Sequence, residues 1–285
     1  MVQSTFGSSH RPCSIRILLM KYIITHKQYQ LLKEQTEEVL RLPNVDYFGG
    51  WDNLQQYLAG KNNPPYSIDG ELDLSDSDVT SLGNLVSVKG TLHLNGSKIE
   101  SLGNLTHVGG DLVLSWTRLK SLGNLTYIGK NADLTECKIE SLGNLTTVGR
   151  DFLAYDTKKL KSLGNLTTVG GDLLLQSSNV KSLGNLTEVG GKAELYLTKI
   201  KSLDNLTSVG GNLTAYSSGH LESLGNLTSV GGNLELGLTS VENFGNLKKV
   251  GGNLSLAGCN ILLHYKSPKK IRSMVDVGGM IKTKF

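Results

Sequence analysis

Ser101-Leu-Gly-Asn-Leu-Thr-His-Val-Gly-Gly-Asp-Leu-Val-Leu-Ser-Trp-Thr-Arg-Leu-Lys120 is followed at once by a near copy of itself, and that recurrence decides the fold. The pentapeptide Ser-Leu-Gly-Asn-Leu begins at 81, 101, 121, 141, 162, 182 and 223, with variants at 202 (Ser-Leu-Asp-Asn-Leu) and 243 (Asn-Phe-Gly-Asn-Leu). The interval is 20 residues, with two of 21. A unit this short cannot close a core of its own, so its apolar positions must stack on those of its neighbours. Each of ten units also carries an apolar-x-apolar element, clearest at Leu72/Leu74, Leu92/Leu94, Leu112/Leu114, Leu173/Leu175, Leu234/Leu236 and Leu254/Leu256. A period of two reads as a short strand, and one strand per unit, repeated at ~4.8 Å, makes a parallel sheet. An aliphatic residue follows (Val79, Ile99, Leu119, Ile139 and so on), then the two motif leucines and a Val or Ile such as Val88 or Ile128. Six apolar columns per coil therefore point inward. The expected fold class is mainly β: a parallel β-solenoid of about ten coils, roughly 48 Å long at the usual strand spacing.

Composition agrees. The chain has 285 residues, 38% of them hydrophobic, 34 glycines and a formal net charge of +4. All five prolines (12, 43, 64, 65, 268) lie outside 66–267, which excludes collagen and argues against a disordered linker, because something in that stretch needs its backbone N–H groups. The charge gives no general attraction to nucleic acid or membrane, and no run of eighteen apolar residues reads as a span. Three cysteines (13, 137, 259) exclude a disulfide-dense scaffold and suit a reducing compartment.

Leu92-His-Leu94-Asn-Gly-Ser97-Lys-Ile99 resembles the leucine-rich-repeat signature L-x-L-x-x-N/C-x-L, with Ser77, Ser97, Thr117, Cys137, Thr198, Thr239 and Cys259 in the Asn/Cys slot. Val230-Gly-Gly-Asn-Leu-Glu-Leu236 is similar to the coils of receptor L-domains. The resemblance covers roughly 68–261 and implies a right-handed solenoid whose slot side chains hydrogen-bond the corner backbone. The upstream aliphatic residue stands four places before the strand leucine rather than three, and the unit is short for the family. Turns or short strands, not helices, are therefore expected on the convex side.

The polar columns read as architecture. Asn84, Asn104, Asn124, Asn144, Asn165, Asn185, Asn205, Asn226 and Asn246 form an asparagine ladder whose amides can bond each other and turn backbone. The glycosylation match in Asn-Leu-Thr is forced by the repeat. The Thr column (106, 126, 146, 167, 187, 207, 228) reads as a hydroxyl ladder, a single row where an ice-binding face wants broad flat ones. The Gly-Gly pairs, such as 109/110 and 231/232, fit corners that require positive φ. They match neither phosphate-binding glycine motif.

Nothing points to an enzyme, and no cofactor or metal is called for. The six histidines are scattered, with only His93 and His107 close enough in the repeat to approach one another. Cys137 and Cys259 share a column six coils apart, about 29 Å, too far for a disulfide, and read as buried structural thiols.

At the ends, 1–19 is expected to be an unstructured extension, 20–65 a helical N-terminal cap, 66–267 the solenoid and 268–285 a C-terminal cap. The cap has a helix over 25–42, begun by the capping box Thr25-His-Lys-Gln28 and ended by Pro43, and a second near Trp51–Leu58 closed by Gly60. Met20-Lys-Tyr-Ile-Ile-Thr25 reads as a natural start and resembles the openings of many small bacteriophage proteins. The C-terminal segment reads as a degenerate last coil behind a short basic helix.

Function is sought where the columns vary. The outward strand positions are polar or small in most coils, but Leu153, Tyr155, Leu174, Gln176, Glu194, Tyr196 and Tyr216 form a contiguous patch. Asp133, Glu194 and Glu235 rim it, and Trp116 and Leu197 stand one position further on. That is the makeup of a protein-recognition hot spot. Both 21-residue units replace the second strand leucine by Ala-Tyr (Ala154-Tyr155, Ala215-Tyr216), which suggests a bulge. A competing surface is the basic stripe Lys98, Arg118, Lys120, Lys138, Lys159, Lys161, Lys181, Lys199 and Lys201, at one-coil pitch, interrupted by Glu100, Glu140, Glu222 and Glu242. The expected function is a non-enzymatic scaffold binding a protein, or a glycan, through the outward sheet face in the cytoplasm of a bacterial or phage-infected cell. Binding of nucleic acid or another polyanion along the stripe is the alternative, and a purely structural role the third reading.

Overall fold

The computed structural model describes residues 39–284. The extension over 1–19, the start at Met20 and the capping-box helix up to Glu38 lie outside the described residues. From Val39 onward the chain is a parallel β-solenoid built on two sheets. The first has twelve strands, opening with β1 (Leu40–Leu42), β2 (Tyr66–Ile68) and β4 (Leu85–Val88) and ending with β22 (Asp276–Val277). The second has eleven, from β3 (Leu72–Asp73) to β23 (Ile281–Lys282). Pairing is in register, coil on coil: Leu72 with Leu92, Leu92 with Leu112, Ala132 with Phe152, Phe152 with Leu173. Between the sheets the chain turns, with single bridges such as Ser101 to Ser81 and no helix between β2 and Ile261.

The six apolar columns are the core. In the coil that opens with Ser101, Leu102, Leu105, Val108, Leu112, Leu114 and Leu119 are all buried. Each such side chain contributes about 1.5–3 kcal/mol when fully buried, and the neighbouring coil is what buries it.

The Ser-Leu-Gly-Asn-Leu motif is a turn whose every position has a task. The Ser101 hydroxyl accepts the N–H of Gly103 at 3.0 Å, closing a small loop that holds Gly103 at φ 58°. That is the left-handed region, where glycine meets no Cβ penalty. Asp204 takes the same conformation at φ 49°, and its carboxylate accepts from the Ser182 hydroxyl at 2.7 Å and the Leu183 N–H at 3.0 Å one coil back. The asparagines form the expected ladder, with both kinds of partner. Asn104 donates to the Asn84 side chain at 3.0 Å, whereas Asn165 and Asn205 donate to the carbonyls of Gly143 and Gly184, at 3.1 and 3.0 Å. The threonine hydroxyls likewise donate to the carbonyl one coil back, as from Thr126 to Thr106 at 3.0 Å.

The Gly-Gly pairs are explained by spacing and not by dihedral angle. None of them lies at positive φ. A Cβ on Gly129 would stand 2.1 Å from the carbonyl oxygen of Gly109, and one on Gly110 2.6 Å from the carbonyl carbon of Gly90. Backbones of successive coils touch there, so hydrogen fits best at the first place of the pair, while Lys130 and Arg150 occupy the second in two coils. Beside the pairs runs a third ladder that sequence reasoning missed. Asp111 accepts the Asn131 N–H at 2.9 Å, Asp151 that of Asp172 at 2.8 Å, and Asn253 that of Met280 at 2.8 Å.

The cap differs from expectation at one point. Leu40–Leu42, placed at the end of the first helix by its apolar spacing, is a strand paired with Tyr66–Ile68. All three residues of β2 are buried, and an edge strand in that position needs a partner. The alternating Leu40-Arg41-Leu42 supplies it. Helix α1 (Trp51–Ala59) stands where the second helix was expected, burying Leu54 and Leu58 and ending at Gly60. Gln55 Nε2 donates to the Tyr66 hydroxyl at 3.1 Å, while burial pushes that phenol up to about 12.

At the other end α2 (Ile261–His264) and α3 (Pro268–Arg272) interrupt the pattern before β22 and β23 complete a last coil. Along the array the Val carbonyl of the first sheet accepts the N–H of the first glycine one coil on, as Val250 does from Gly278 at 2.9 Å. The second-glycine carbonyl accepts similarly, as Gly252 does from Gly279 at 2.9 Å. In the last coil these acceptors are the Val277 and Gly279 carbonyls. The Arg272 guanidinium donates to both, in the place a further coil would take.

Two outcomes test this account. Leu142→Ala, in the middle of a buried column, should lower stability by about 2–5 kcal/mol in chemical denaturation. Arg272→Ala should uncover the terminal strand edge and shift sedimentation towards larger species than the parent chain at equal concentration.

Candidate recognition surface

The alternation in the second sheet turns Leu112 and Leu114 inward and presents the residue between them and the one after. By register Asp133, Leu153, Leu174 and Glu194 stand on successive coils in one outward column. Thr135, Tyr155, Gln176, Tyr196 and Tyr216 follow two places on. Leu153, Tyr155, Leu174, Gln176, Glu194 and Tyr196 are half-buried among one another, and Tyr216 is exposed. The structure therefore brings the seven patch residues together on four consecutive coils.

The Ala-Tyr strands are not bulged. Phe152 and Leu153 pair regularly with Leu173 and Leu174, and Leu213 and Thr214 with Leu234 and Glu235. The extra residue of each long coil is taken up beyond the strand, around Lys158–Lys159 and Gly219–His220. Ala154 and Ala215 are fully buried, and the Tyr216 ring lies along the next coil, where a Cβ on Gly237 would stand 3.0 Å from its Cδ2. The ring covers the sheet face and does not enter the core.

The next column outward has a peculiarity visible only in the backbone. Its occupants are left-handed throughout, from Asp76 (φ 53°) through Trp116 (61°), Leu197 (58°) and Leu238 (59°) to Gly258 (71°). Trp116, Leu197 and Leu238 are 66%, 57% and 41% exposed. Sequence reasoning reached Trp116 and Leu197 and missed Leu238. The signal that could have found it is the Gly or Asp at the same slot in four other coils (Asp76, Gly96, Asp156, Gly258), which marks a positive-φ position.

Polar groups on this face are mostly engaged. Lys192 Nζ lies 2.7 Å from Glu194 and 4.0 Å from Asp172, and the hydrogen bond to Glu194 raises its pKa. Asp73 accepts from the Ser75 hydroxyl at 2.6 Å and N–H at 2.9 Å, which lowers its carboxyl pKa. Two buried oxygens, Thr135 Oγ1 and Gln176 Oε1, have no hydrogen-bond partner among the described residues. They sit in the same column, on either side of Tyr155.

The basic stripe occupies a separate edge. Lys98, Arg118 and Lys138 flank one side of the buried aliphatic corner column, and Lys120, Lys161, Lys181 and Lys201 the other, all exposed. Lys98 pairs with Asp78 at 2.7 Å, and Lys161 Nζ bonds the Lys158 carbonyl at 3.1 Å. Acidic Glu100, Glu140, Glu222 and Glu242 share the row.

His93 and His107 lie on different sheets, and His107 packs against Tyr127 with ring centroids 6.0 Å apart. Among the described residues no group of three His, Cys, Asp or Glu side chains could hold a metal ion, and no helix is long and apolar enough to cross a membrane. Cys137 and Cys259 are free and buried, in the slot where Ser97 and Thr117 donate to the carbonyl three residues earlier at 2.6 and 2.7 Å. No protein-family model matches the chain, and no curated protein matches it.

Burial pushes the Cys137 thiol up to about 11, so the reactive thiolate is scarce at ordinary pH. In a Cys13→Ser background, labelling by a thiol-disulfide reagent at about pH 8 should be slow in the folded chain and complete on unfolding. Rapid labelling of native Cys137 would contradict its placement. Between the ordinary thiol pKa and about 11, only the unfolded chain ionises this group, so stability should fall as pH rises through that window.

Proposed function

We propose that this chain is a non-enzymatic, leucine-rich-repeat-like recognition scaffold that binds a protein through the outward face of its second sheet. The observation that carries the reading is the concentration of Leu153, Tyr155, Leu174, Tyr196 and Tyr216 on four consecutive coils, where the tyrosine column elsewhere holds Ser, Asn, Thr, Gly or Ala and the leucine column, apart from Val113, holds polar residues. Sheet position alone gives no reason for that clustering. Large aromatic groups with a polar tip, surrounded by half-buried neighbours that exclude water, are the makeup of binding anchors. The family reading is supported by the Ser and Thr of the corner slot, whose hydroxyls bond the turn carbonyl as at Thr198 and Thr239, both 2.7 Å. The free, buried thiols suit a reducing compartment such as a bacterial or phage-infected cytoplasm.

The experiment is affinity capture from a host lysate with mass spectrometry, at low and high salt, using the parent chain, Tyr196→Ser and Lys181→Ser. Tyr196→Ser introduces the residue found at the same position in Ser75 and Ser115 and leaves the core column untouched. It should weaken a captured protein's binding by at least ~2 kcal/mol, about thirtyfold, while Lys181→Ser leaves it unchanged. Capture of nucleic acid alone, abolished by salt and by Lys181→Ser, would move the function to the basic stripe.

A further inference from the structure

Trp116, Leu197 and Leu238 combine two properties that the fold does not require of them. Each is held in the left-handed backbone region, which disfavours bulky side chains and which Gly, Asp, Ser or Glu occupies in the other coils. Each also leaves its side chain exposed, so burial does not offset the unfavourable backbone. Residues that are both conformationally disfavoured and unburied do not serve the packing of their own coil. All three border the patch that includes Leu153, Leu174 and the tyrosines.

Electrostatics on the same face narrows what could cover them. Its lysines within the patch region are already paired, Lys158 with Asp156 at 2.8 Å and Lys192 with Glu194 at 2.7 Å. Asp133, Glu136 and Glu235 have no ion-pair partner among the described residues. The surface therefore offers unneutralised carboxylates around apolar groups. Leu197 and Leu238 are aliphatic and exposed, and they fit apolar side chains.

We propose that the partner engages this face with an extended, cationic polypeptide segment whose apolar side chains seat against Trp116, Leu197 and Leu238 and whose lysines or arginines meet Asp133, Glu136 and Glu235. The inference rests on the recognition reading above and adds the chemistry of the occupant. Trp116 and Leu238 are six coils apart, ~29 Å at the usual strand spacing, which an extended segment of about nine residues spans.

The probes are three labelled synthetic peptides of roughly that length: lysine alternating with leucine and valine, glutamate in place of lysine, and serine in place of the apolar residues. Fluorescence anisotropy with the full chain should show binding of the first alone, weakened by salt. Trp116→Gly and Leu238→Gly should each cut its affinity at least tenfold, while the thermal midpoint stays the same or rises, because glycine relieves the left-handed backbone. That stability readout separates anchoring from a structural role: a lowered midpoint in both variants would overturn the inference. Equal binding of the glutamate peptide would overturn the cationic assignment, and equal binding of the serine peptide the apolar anchoring. Failure of every peptide to bind also overturns the inference. The recognition reading would then still be judged separately by whether Tyr196→Ser releases the captured protein.

Discussion

Each coil of this chain is completed by the next. The second strand of a twenty-residue unit has its N–H and C=O groups directed along the array, and the leucines beside it have a buried environment only because identical leucines lie one coil away. Position in the repeat therefore determines physical role, and a residue is judged against its column before its neighbours in sequence. This dependence explains why proline is missing from the array, where a lost N–H would break a bond between coils. It also explains why the ends need special treatment: β1 supplies a strand to the first coil, and Arg272 supplies donors to the last.

The same constraint sorts the polar residues. A group that faces the next coil can be satisfied repeatedly by one side-chain type, and three ladders do so: Asp/Asn beside the glycine pairs, Thr on the wall, and Asn in the turn. Each links a side chain to backbone one coil away, so it fixes the register between units as well as satisfying a buried or half-buried backbone group. The glycine pairs belong to this set although they carry no side chain, since close approach of backbone at Gly109 and Gly129 excludes one.

Much of this was legible in the sequence because periodicity reports columns directly. The parallel solenoid, the six buried columns and the placement of Tyr155, Tyr196 and Tyr216 on one line all follow from aligning the repeats, whereas the sequence pattern predicts one sheet and the structure has two. What was misread lies where one residue type serves two physical causes. Glycine marks positive φ at Gly103 and close approach at Gly109, and only coordinates separate the two. Leu42 satisfies a helical spacing with Val39 as well as an alternating one with Leu40, and the choice is made by β2, a buried strand far along the chain that needs a partner. The Ala-Tyr pairs suggested a bulge because the longer coils contain them, yet the extra residue is absorbed in the following turn, where no strand pairing is disturbed.

The left-handed column shows why an array can carry a conformationally disfavoured surface residue. In an isolated turn, Trp116 at φ 61° would relax to another basin, but its N–H is bound to the Thr135 carbonyl at 3.3 Å, and the Leu238 N–H to that of Ala257 at 3.0 Å. The same bond to the neighbouring coil holds Asp76, Gly96, Asp156, Ser177 and Ser217, so at these units the geometry is supported from outside whatever side chain stands there. Imposed backbone and open solvent together leave the side chain unconstrained by the fold, so this column and the outward strand columns are the places where sequence can vary without disturbing the stack. A surface of that kind separates recognition from stability. Changes in its aromatic and aliphatic residues can alter what the protein meets while the leucine columns, glycine contacts and ladders behind them continue to hold the coils together.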